Sequence, residues 1–299
     1  MDAPFPLSEP SVIRLFLANG SPDGLRLVEK SGWIGCAALF PRSRFPELRG
    51  RPELKRTGVY LLFGDTVDQQ LPQVYIGEGD PVVNRLIQHF REKDFWSHAI
   101  VFTSRDENLH KAHLQNLEAA LIRLARSANR CQLINANVPE EPSLSEIDQA
   151  ETKLFLSQPL SVLNILGVGV FQRPAPATRS TPIFHAEAKG LRAEGYETDQ
   201  GFVVRSGSES PVEVAPSCMA SIMALRNQLK EQGTLKESSG KLVLTQDYLF
   251  SSPSQAATVM LARAANGRTE WKMKDGRSLK QLQDAALERE AVSAVSATS

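Results

Sequence analysis

Two tyrosines occupy matching positions in one short stretch of the chain. The sequence TGVYLLFGDTVDQQLPQVYIGEG, residues 57–79, carries Tyr60 and Tyr75 in two apolar runs, and each tyrosine has a glycine two residues away. A phenol has a reference pKa of about 10, so it acts as a base near neutral pH only where cations favour its ionised form. Either tyrosine alone is typical of a half-buried strand, and a core needs no such pair, whereas a catalytic site could use one.

Four polar residues downstream could supply the other groups of such a site. Arg85 and His89 are four residues apart, so they share one face of a predicted short helix. Glu118 lies beside the apolar stripe of a predicted long helix, where a carboxylate needs a proton, a cation or a metal ion. Asn135 follows the last predicted strand, and Asn137 is an alternative for the same position. We therefore treat these side chains and the two tyrosines as one candidate set.

Each member of this set also has an ordinary structural interpretation. Arg85 and His89 on a short helix are usually solvated, and an asparagine after a strand is usually part of a turn. Glu118 in a long helix usually forms an exposed ion pair, for which Arg123 or Arg126 is available. Only the joint occurrence of these residues in one compact stretch favours a functional site.

The elements that must position the candidate set follow from periodicity and turn signals. Their predicted order is strand, strand, helix, strand, helix, strand, which is a small α+β unit with a mostly antiparallel sheet. Asp80 and Pro81 are predicted to begin the short helix as its cap and its first residue. The segments are GVYLLF, PQVYIG, DPVVNRLIQHF, SHAIVFTS, DENLHKAHLQNLEAALIRLARSAN and RCQLINAN, and GDTVDQQL is the predicted hairpin connection.

With these elements in this order, the stretch resembles the GIY-YIG nuclease superfamily. The resemblance covers roughly residues 55–137 and depends on the GVY and YIG motifs, Arg85, Glu118 and a trailing asparagine, best matched by Asn135. The first motif has valine where the family name has isoleucine, and His89 matches only some branches, notably certain restriction enzymes. The resemblance implies a small α+β fold and hydrolysis of DNA phosphodiester bonds with one divalent cation, Mg²⁺ or Mn²⁺.

Roles for the individual residues follow from the resemblance and from side-chain chemistry. The metal ion is expected on Glu118, because Mg²⁺ is often held by one or two carboxylates, waters and substrate phosphate. Tyr60 is the preferred general base and Tyr75 positions or shares the proton, although the sequence leaves their order open. Arg85 is expected to hydrogen-bond phosphate oxygens. The predicted catalytic residues are Tyr60, Tyr75, Arg85, His89, Glu118 and Asn135.

The rival interpretation is a non-catalytic nucleic-acid-binding or regulatory module with a vestigial nuclease site. A degenerate copy is expected to have lost Glu118 or Arg85, and both are present. The sequence therefore favours the endonuclease. It leaves open the strand preference, the recognition sequence, the pathway and the oligomeric state.

Composition and charge limit which binding partners and which cellular compartment the sequence predicts. The chain has 299 residues with 34 basic and 34 acidic side chains, so overall charge does not indicate a polyanionic partner. Its three cysteines form no Cys-x-x-Cys pair, which fits a reducing cytoplasm, and no segment is long and apolar enough to predict a membrane span. We expect a cytoplasmic bacterial protein without membrane contact.

Local charge is uneven, and one basic run could hold the DNA substrate. RSRFPELRGRPELKR, residues 42–56, has six basic residues against two acidic ones. Phosphate contacts from such a run would add affinity that falls with salt, although its prolines also fit an ordinary solvated connector. The predicted nucleic-acid-binding residues are Arg42, Arg44, Arg51, Lys55 and Arg56.

The histidines outside the candidate set do not predict a further metal site. His98, His110 and His113 have no spacing that forms, with a carboxylate, a convincing ligand set. We therefore expect ordinary structural roles for them.

Segments rich in proline and serine divide the chain. The C-terminal part resembles a domain of undefined role that is appended to bacterial GIY-YIG proteins, and it could bind DNA phosphates or a protein partner. Its candidate phosphate-binding face has six residues, Arg263, Arg268, Lys272, Lys274, Arg277 and Lys280. The predicted segments are 1–54, a strand-rich extension with the basic connector; 55–138, the nuclease domain; 139–181, a helical segment and proline-rich linker; 182–290, a second α+β domain; and 291–299, a disordered tail.

Overall fold

The chain forms two compact units, and each of them is an α+β fold as predicted. The computed structural model describes residues 10–64, 71–106 and 109–297, with side chains described as far as Glu288. The chain passes from the first unit to the second between Gln172 and Arg173, at the start of the predicted proline-rich linker.

The described part of the first unit contains seven strands and four helices. Two short 3-10 turns, Arg42–Arg44 and Pro52–Lys55, flank the shortest helix. In chain order the elements are β1 Ile13–Leu17, β2 Arg26–Lys30, β3 Gly35–Pro41, α1 Phe45–Leu48, β4 Gly58–Phe63, β5 Gln73–Gly79, α2 Val82–Glu92, β6 His98–Ser104, α3 Lys111–Ala128, β7 Gln132–Leu133 and α4 Glu146–Ile165.

Within the described residues, the seven strands form one sheet in the order β1-β2-β3-β6-β4-β5-β7. Every neighbouring pair is antiparallel except β5 and β7, which run parallel. All four strands predicted around the tyrosine motifs are present, so the mostly antiparallel sheet is confirmed. It is wider than predicted because three N-terminal strands extend it.

Residues 13–41 therefore contribute three strands to this sheet rather than forming a separate extension. β3 pairs with β6 along its whole length, from Gly35 opposite Ser104 to Pro41 opposite His98. The side chains of β3 are buried as far as Phe40, because both faces of the strand are covered. The boundary predicted after residue 54 does not separate two folds, since β3 covers the edge that β6 would otherwise leave open.

Side-chain alternation along β4 divides the core of the first unit into two layers. Val59 and Leu61 point to one face, where they pack with residues of α3 and α4. Tyr60 and Leu62 point to the opposite face, where they pack with residues of α2. The sheet thus lies between helices on both sides, and α4 belongs to this core although the predicted nuclease domain ended at residue 138.

The start of α2 differs from its predicted cap. Pro81 is itself the N-cap residue, and the Asp80 carboxylate instead accepts a 2.6 Å hydrogen bond from the Thr57 hydroxyl. α3 begins at Lys111, later than the predicted start at Asp106. Residues 65–70 of the predicted hairpin connection lie outside the described residues.

The described part of the second unit contains two small antiparallel sheets and four helices. Its elements are β8 Phe184–Ala188, β9 Leu191–Thr198, β10 Gly201–Val204, β11 Glu209–Pro211, α5 Ala220–Glu231, β12 Leu235–Ser238, β13 Lys241–Leu244, β14 Tyr248–Phe250, α6 Pro253–Leu261, α7 Gly267–Glu270 and α8 Leu279–Ala297. The sheets have the strand orders β14-β10-β9-β8 and β11-β13-β12.

One buried arginine connects the layers of the second unit. Arg226 of α5 is only 2% exposed. Its guanidinium donates hydrogen bonds to the Ser210 hydroxyl at 2.8 Å, to the Pro211 carbonyl at 2.6 Å and to the Val259 carbonyl. These bonds join α5 to β11 and α6, because a buried guanidinium must find acceptors for its N–H groups.

The longest helices of the chain do not have the character of membrane spans. Among the described residues, no helix combines the length and the hydropathy that crossing a bilayer requires. α8 extends to Ala297, so residues 291–297 are helical where a disordered tail was predicted.

The C-terminal end of α2 is held by Arg42, which was predicted to bind nucleic acid. Its guanidinium donates hydrogen bonds of 3.0 Å to the Phe90 carbonyl and 3.1 Å to the Asp94 carbonyl. It also lies over the rings of Phe90 and Trp96, at 5.2 and 5.3 Å from their centroids. A cation that satisfies the last carbonyls of a helix is a structural cap, so this residue is committed to the fold.

We predict that Arg42→Ala lowers the free energy of unfolding by about 1–2 kcal/mol, through lost charged hydrogen bonds and ring contacts. The matched control is Arg44→Ala, because the contact of Arg44 within the described residues is an exposed ion pair with Glu47 at 3.2 Å. This variant is expected to change stability by less than about 0.5 kcal/mol. Urea unfolding of both variants measures the difference. Equal midpoints for the two variants would contradict the capping role.

Candidate active site

The glycines beside the two tyrosines have a steric role. Tyr60 on β4 lies directly opposite Gly77 on β5. A Cβ atom added to Gly77 would lie 2.4 Å from the hydroxyl oxygen of Tyr60, which is far inside van der Waals contact. A Cβ atom on Gly58 would lie 2.3 Å from the Phe102 carbonyl oxygen of β6. Glycine in the second motif therefore makes room for the phenol of the first motif, and glycine in the first motif allows β4 to approach β6.

The two tyrosines and His89 form one aromatic cluster between β4, β5 and α2. The Tyr60 hydroxyl lies 2.8 Å from Nε2 of His89. The His89 ring meets the Tyr75 ring edge-on, with a centroid distance of 4.8 Å, and the two tyrosine rings are 6.4 Å apart. The structure thus brings together three residues that the sequence placed in one set.

Arg85 joins the same cluster from one turn earlier on α2. Its guanidinium is close enough to Tyr60 and Tyr75 that its charge lowers the pKa of both phenols. It also donates a 2.8 Å hydrogen bond to the Gln88 side chain, and the residue is exposed to solvent. A second cation is near, since Nζ of Lys93 lies 5.0 Å from the centroid of the Tyr75 ring. An exposed fork of N–H donors beside two phenols is suited to hold an anionic substrate group.

Tyr60 and His89 are both uncharged at neutral pH. Burial raises the pKa of Tyr60, the nearby Tyr75 raises it further, and Arg85 opposes the shift only in part. Burial, Arg85 and Lys93 together lower the pKa of His89 to about 4. Within the described part of the chain, Nδ1 of the buried His89 ring has no hydrogen-bond partner. The sequence argument expected Arg85 to favour a Tyr60 phenolate, but the loss of hydration outweighs the arginine.

Exposure separates the two tyrosines and bears on the order of their predicted roles. Tyr60 is 0% exposed, whereas Tyr75 is only half-buried. A general base must come within hydrogen-bonding distance of the water whose proton it takes. Solvent reaches the Tyr75 side chain and does not reach Tyr60, so the preference for Tyr60 as the base is not supported.

Glu118 lies where its charge is disfavoured. Burial beside the apolar side of α3 raises its pKa to about 7, repulsion from Glu78 adds to the shift, and Arg85 acts against it. The carboxyl group of Glu118 also raises the pKa of Tyr75, so the glutamate and the tyrosine interact electrostatically. A carboxylate held near its neutral form at pH 7 is typical of a functional site.

Glu78 is a member of the site that the sequence argument missed. Burial raises its pKa as well, while Arg85 and Lys111 act in the opposite direction. The missed signal is strand parity. Glu78 shares the face of β5 with Val74 and Ile76, whose side chains pack with α3, so it points toward the helix that carries Glu118.

An open strand edge allows groups from both faces of the sheet to interact. The ladder between β5 and β7 includes only Gln73 and Val74 of β5. The Asn135 side chain extends this ladder by one residue, accepting a 2.9 Å hydrogen bond from the Ile76 amide and donating one of 2.8 Å to its carbonyl. Asn135 therefore fixes the position of β5, and the catalytic role predicted for it is not supported by its contacts.

The carboxylates meet the requirements of a hard divalent cation. Mg²⁺ binds oxygen ligands and is usually held by one or two carboxylates. Burial raises the pKa of both glutamates, and the charge of Glu78 raises the pKa of Glu118 further, so a cation bound near both carboxylates would offset this repulsion. The predicted metal ligand Glu118 thus gains a second carboxylate as its partner.

The basic run before β4 is partly committed to local ion pairs. Arg44 pairs with Glu47 at 3.2 Å, and Arg51 pairs with Glu53 at 2.9 Å. Lys55 is exposed and Arg56 partly exposed, and neither takes part in the salt bridges observed within the described residues. The Arg56 carbonyl accepts a 3.0 Å hydrogen bond from the Val82 amide, which holds the connector against the N-terminus of α2. Lys55 and Arg56 are therefore the members of the predicted DNA-binding set that are best placed to contact phosphate.

The predicted phosphate-binding face of the second unit is also largely neutralised. Three of its six basic residues are arginines, and each forms an ion pair with a neighbouring carboxylate. The pairs are Arg263 with Glu270 at 3.0 Å, Arg268 with Asp284 at 3.1 Å and Arg277 with Asp275 at 2.6 Å. A DNA-positioning role for this face would depend on its lysines.

Comparison with known proteins identifies a domain in the second unit only. Residues 184–283, about a third of the chain, match a family described as a domain of unknown function, DUF4357. No curated protein matches the chain, and no solved structure does. The match confirms that the C-terminal part contains a domain of undefined role, and the nuclease resemblance of the first unit stays a prediction.

Proposed function

We propose that the first unit is a divalent-cation-dependent endonuclease that hydrolyses phosphodiester bonds of DNA. The observation that carries this proposal is the position of Glu118, a carboxyl group with a pKa raised to about 7 beside a second carboxylate and an arginine–tyrosine pair. Cation ligands, an anion-binding guanidinium and a solvent-accessible phenol are the groups that phosphodiester hydrolysis requires. The resemblance of the sequence to the GIY-YIG nucleases supports the same reaction.

Glu118 and Glu78 would hold the cation, Mg²⁺ or Mn²⁺. When bound, the cation would offset the charge of the phosphate and lower the pKa of a coordinated water. The two carboxyl groups would bind it through oxygen atoms, which is the ligand type that these ions prefer. The raised pKa values show that ionising both carboxyl groups is costly without a cation, so cation binding should lower both pKa values.

Arg85 would bind the scissile phosphate. Its guanidinium is exposed, and contacts to Tyr60, Tyr75 and Gln88 restrain it. A restrained guanidinium can donate two parallel hydrogen bonds to phosphate oxygens, and these strengthen as negative charge develops. Lys55 and Arg56, in the connector that contacts the N-terminus of α2, would contact neighbouring phosphates.

Tyr75 would act as the general base. Burial and the charge of Glu118 raise its pKa, whereas Arg85 lowers it in part. The Lys93 ammonium lies over its ring, so both cations favour the phenolate against the effect of burial. The phenolate takes a proton from water as the water oxygen bonds to phosphorus. The bond from phosphorus to the leaving sugar oxygen then breaks, and that oxygen takes a proton from solvent. The Tyr75 proton returns to solvent in the next step.

Tyr60 and His89 would position the reacting groups rather than react. The Tyr60 hydroxyl is hydrogen-bonded to the His89 ring, and the His89 ring packs edge-on against Tyr75. Arg85 is close enough to Tyr60 to lower the pKa of its phenol. A buried contact of this kind limits the orientations of Tyr75 and Arg85, and orientation is a large part of catalysis. The rival function, a binding module with a vestigial site, would retain DNA binding without hydrolysis.

The proposal predicts that the purified protein cleaves DNA with Mg²⁺ or Mn²⁺ and not with excess chelator. Glu118→Gln should abolish cleavage while the protein still binds DNA, because the amide keeps the shape of the carboxyl group but loses its charge. Glu78→Gln should raise the Mg²⁺ concentration needed for half-maximal rate. The measurement is cleavage of labelled duplex and single-stranded DNA over a Mg²⁺ series.

The matched control for these variants is Glu92→Gln, at the exposed end of α2, which should cleave at the parental rate. Cleavage by Glu118→Gln at the parental rate would overturn the metal-ligand assignment. DNA binding by the parent without cleavage under any divalent cation would favour the vestigial module.

The roles of the tyrosines are tested by removing each hydroxyl group alone. Tyr75→Phe should lower the cleavage rate by on the order of 10²–10⁴, the usual contribution of a general base. Tyr60→Phe should lower it by only about 10-fold, because positioning is weakened while the base remains. Single-turnover rates at saturating Mg²⁺ measure both effects, and circular dichroism confirms folding. A larger loss for Tyr60→Phe than for Tyr75→Phe would restore the assignment predicted from sequence.

A further inference from the structure

A second group of potential metal ligands lies where α3 and α4 begin. His110 is the N-cap residue of α3, and His113 is in its first turn. Asp148 is in the first turn of α4, which packs against α3. The sequence argument gave these histidines structural roles because no spacing among them formed, with a carboxylate, a convincing ligand set. Asp148 is 35 residues from His113 along the chain. The packing of α4 against α3 brings Asp148 close to His110 and His113.

The three side chains converge closely. The rings of His110 and His113 are stacked at a centroid distance of 3.7 Å. Nε2 of His113 lies 3.2 Å from Oδ1 of Asp148. One ligand atom from each of the three residues lies within 4.8 Å of the other two.

The geometry points to a transition-metal site on His110, His113 and Asp148, with Zn²⁺ as the ion that fits best. Zn²⁺ binds imidazole nitrogen and carboxylate oxygen at roughly 2.0–2.2 Å, so two ligand atoms on one ion lie roughly 3.0–3.5 Å apart. The separation of 3.2 Å between His113 and Asp148 meets this requirement. Two imidazoles and one carboxylate are a ligand set for Zn²⁺ and related borderline ions, whereas Mg²⁺ prefers oxygen alone.

The exposures of the two histidines suit this role. His113 is 3% exposed, so its ring is fixed by packing, whereas His110 is exposed. The largest separation in the set is too long for one ion, so the His110 ring must move by roughly an ångström to complete the site. An exposed residue that precedes a helix can make this movement without changing the core.

Asp148 is held in position by its own helix cap. The Ser145 hydroxyl donates a 2.7 Å hydrogen bond to Oδ2 of Asp148 and accepts one of 3.1 Å from its amide. This arrangement occupies one carboxylate oxygen and leaves Oδ1 directed at His113. Outer-shell hydrogen bonds of this kind orient metal ligands.

Two features oppose cation binding and limit the expected affinity. The site lies at the N-terminal ends of two helices, where the helix dipoles disfavour positive charge. Lys111 adds a positive charge next to His110 in the chain. For Zn²⁺, the favourable free energy of coordination by three ligands exceeds the repulsion from the helix dipoles and Lys111. Water would occupy the open fourth position.

The proposed site is separate from the candidate active site. Glu118 follows His113 by five residues on α3, which is about 7.5 Å along the helix axis and roughly 140° around it. Zn²⁺ at the two helix starts would join α4 to α3 and stabilise the first unit, because metal binding to the folded state alone adds to its stability. This inference does not depend on the nuclease activity.

The test is titration of the chelator-treated full-length protein with ZnCl₂ by calorimetry at pH 7.5, with Co²⁺ absorption as a second readout. The parent should bind one Zn²⁺ at this site, and bound Co²⁺ should show the visible absorption bands that are typical of a low coordination number. His110→Ala should weaken Zn²⁺ binding by about 10-fold or more and remove the Zn²⁺-dependent rise in Tm. This exposed position is chosen because the variant should fold.

Two matched variants should keep parental Zn²⁺ affinity. His98→Asn removes a histidine of β6 that lies outside the cluster, and Glu118→Gln removes the ligand of the proposed active site. Asp148→Asn should lose affinity as His110→Ala does. The proposal would be overturned if both His110→Ala and Asp148→Asn kept the parental Zn²⁺ affinity, or if only Glu118→Gln lost it. It would also be overturned if the parent bound no Zn²⁺.

Discussion

The first unit depends on a strand that carries polar groups on both faces and ends at an open edge. β5 directs Tyr75 toward α2 and Glu78 toward α3, and its Gly77 leaves the space that the phenol of Tyr60 fills. Alternation along a strand would normally keep the two faces apart. They interact here because β7 covers only the first part of β5. Asn135 fixes the last covered position, so the open part of the edge begins at a defined residue.

Electrostatics at this edge result from a competition between burial and a few cations. Burial raises the proton affinity of the tyrosines and the two glutamates, and it makes the His89 ring harder to protonate. Among the residues that the structure describes, Arg85 is the one cation that acts on all five groups. It therefore favours the charged forms of four acids at once and disfavours the charged form of the histidine. These opposing effects leave the four acids close to their neutral forms. A cation bound beside them would therefore change their pKa values strongly.

Local patterns predicted most of the elements around the motifs, because apolar alternation and helical periodicity act over a few residues. They also predicted that Tyr60, Tyr75, Arg85 and His89 would lie together. They could not predict that Asn135 binds the backbone of Ile76, that Tyr60 is fully buried, or that β3 completes the sheet, since each depends on contacts distant in sequence. Glu78 was accessible to reasoning, because strand parity alone directs it toward α3.

The most direct test of the account is the pKa of Glu118, measured by ¹³C NMR of labelled glutamate side chains with and without Mg²⁺. The Glu118→Gln variant assigns the resonance. The account predicts a pKa of about 7 in the metal-free protein, well above the usual glutamate value of about 4.3. Added Mg²⁺ should lower this pKa, because a bound cation favours the ionised carboxylate. A pKa near 4.3 that Mg²⁺ does not change would contradict the claim that Glu118 and Glu78 form a cation site.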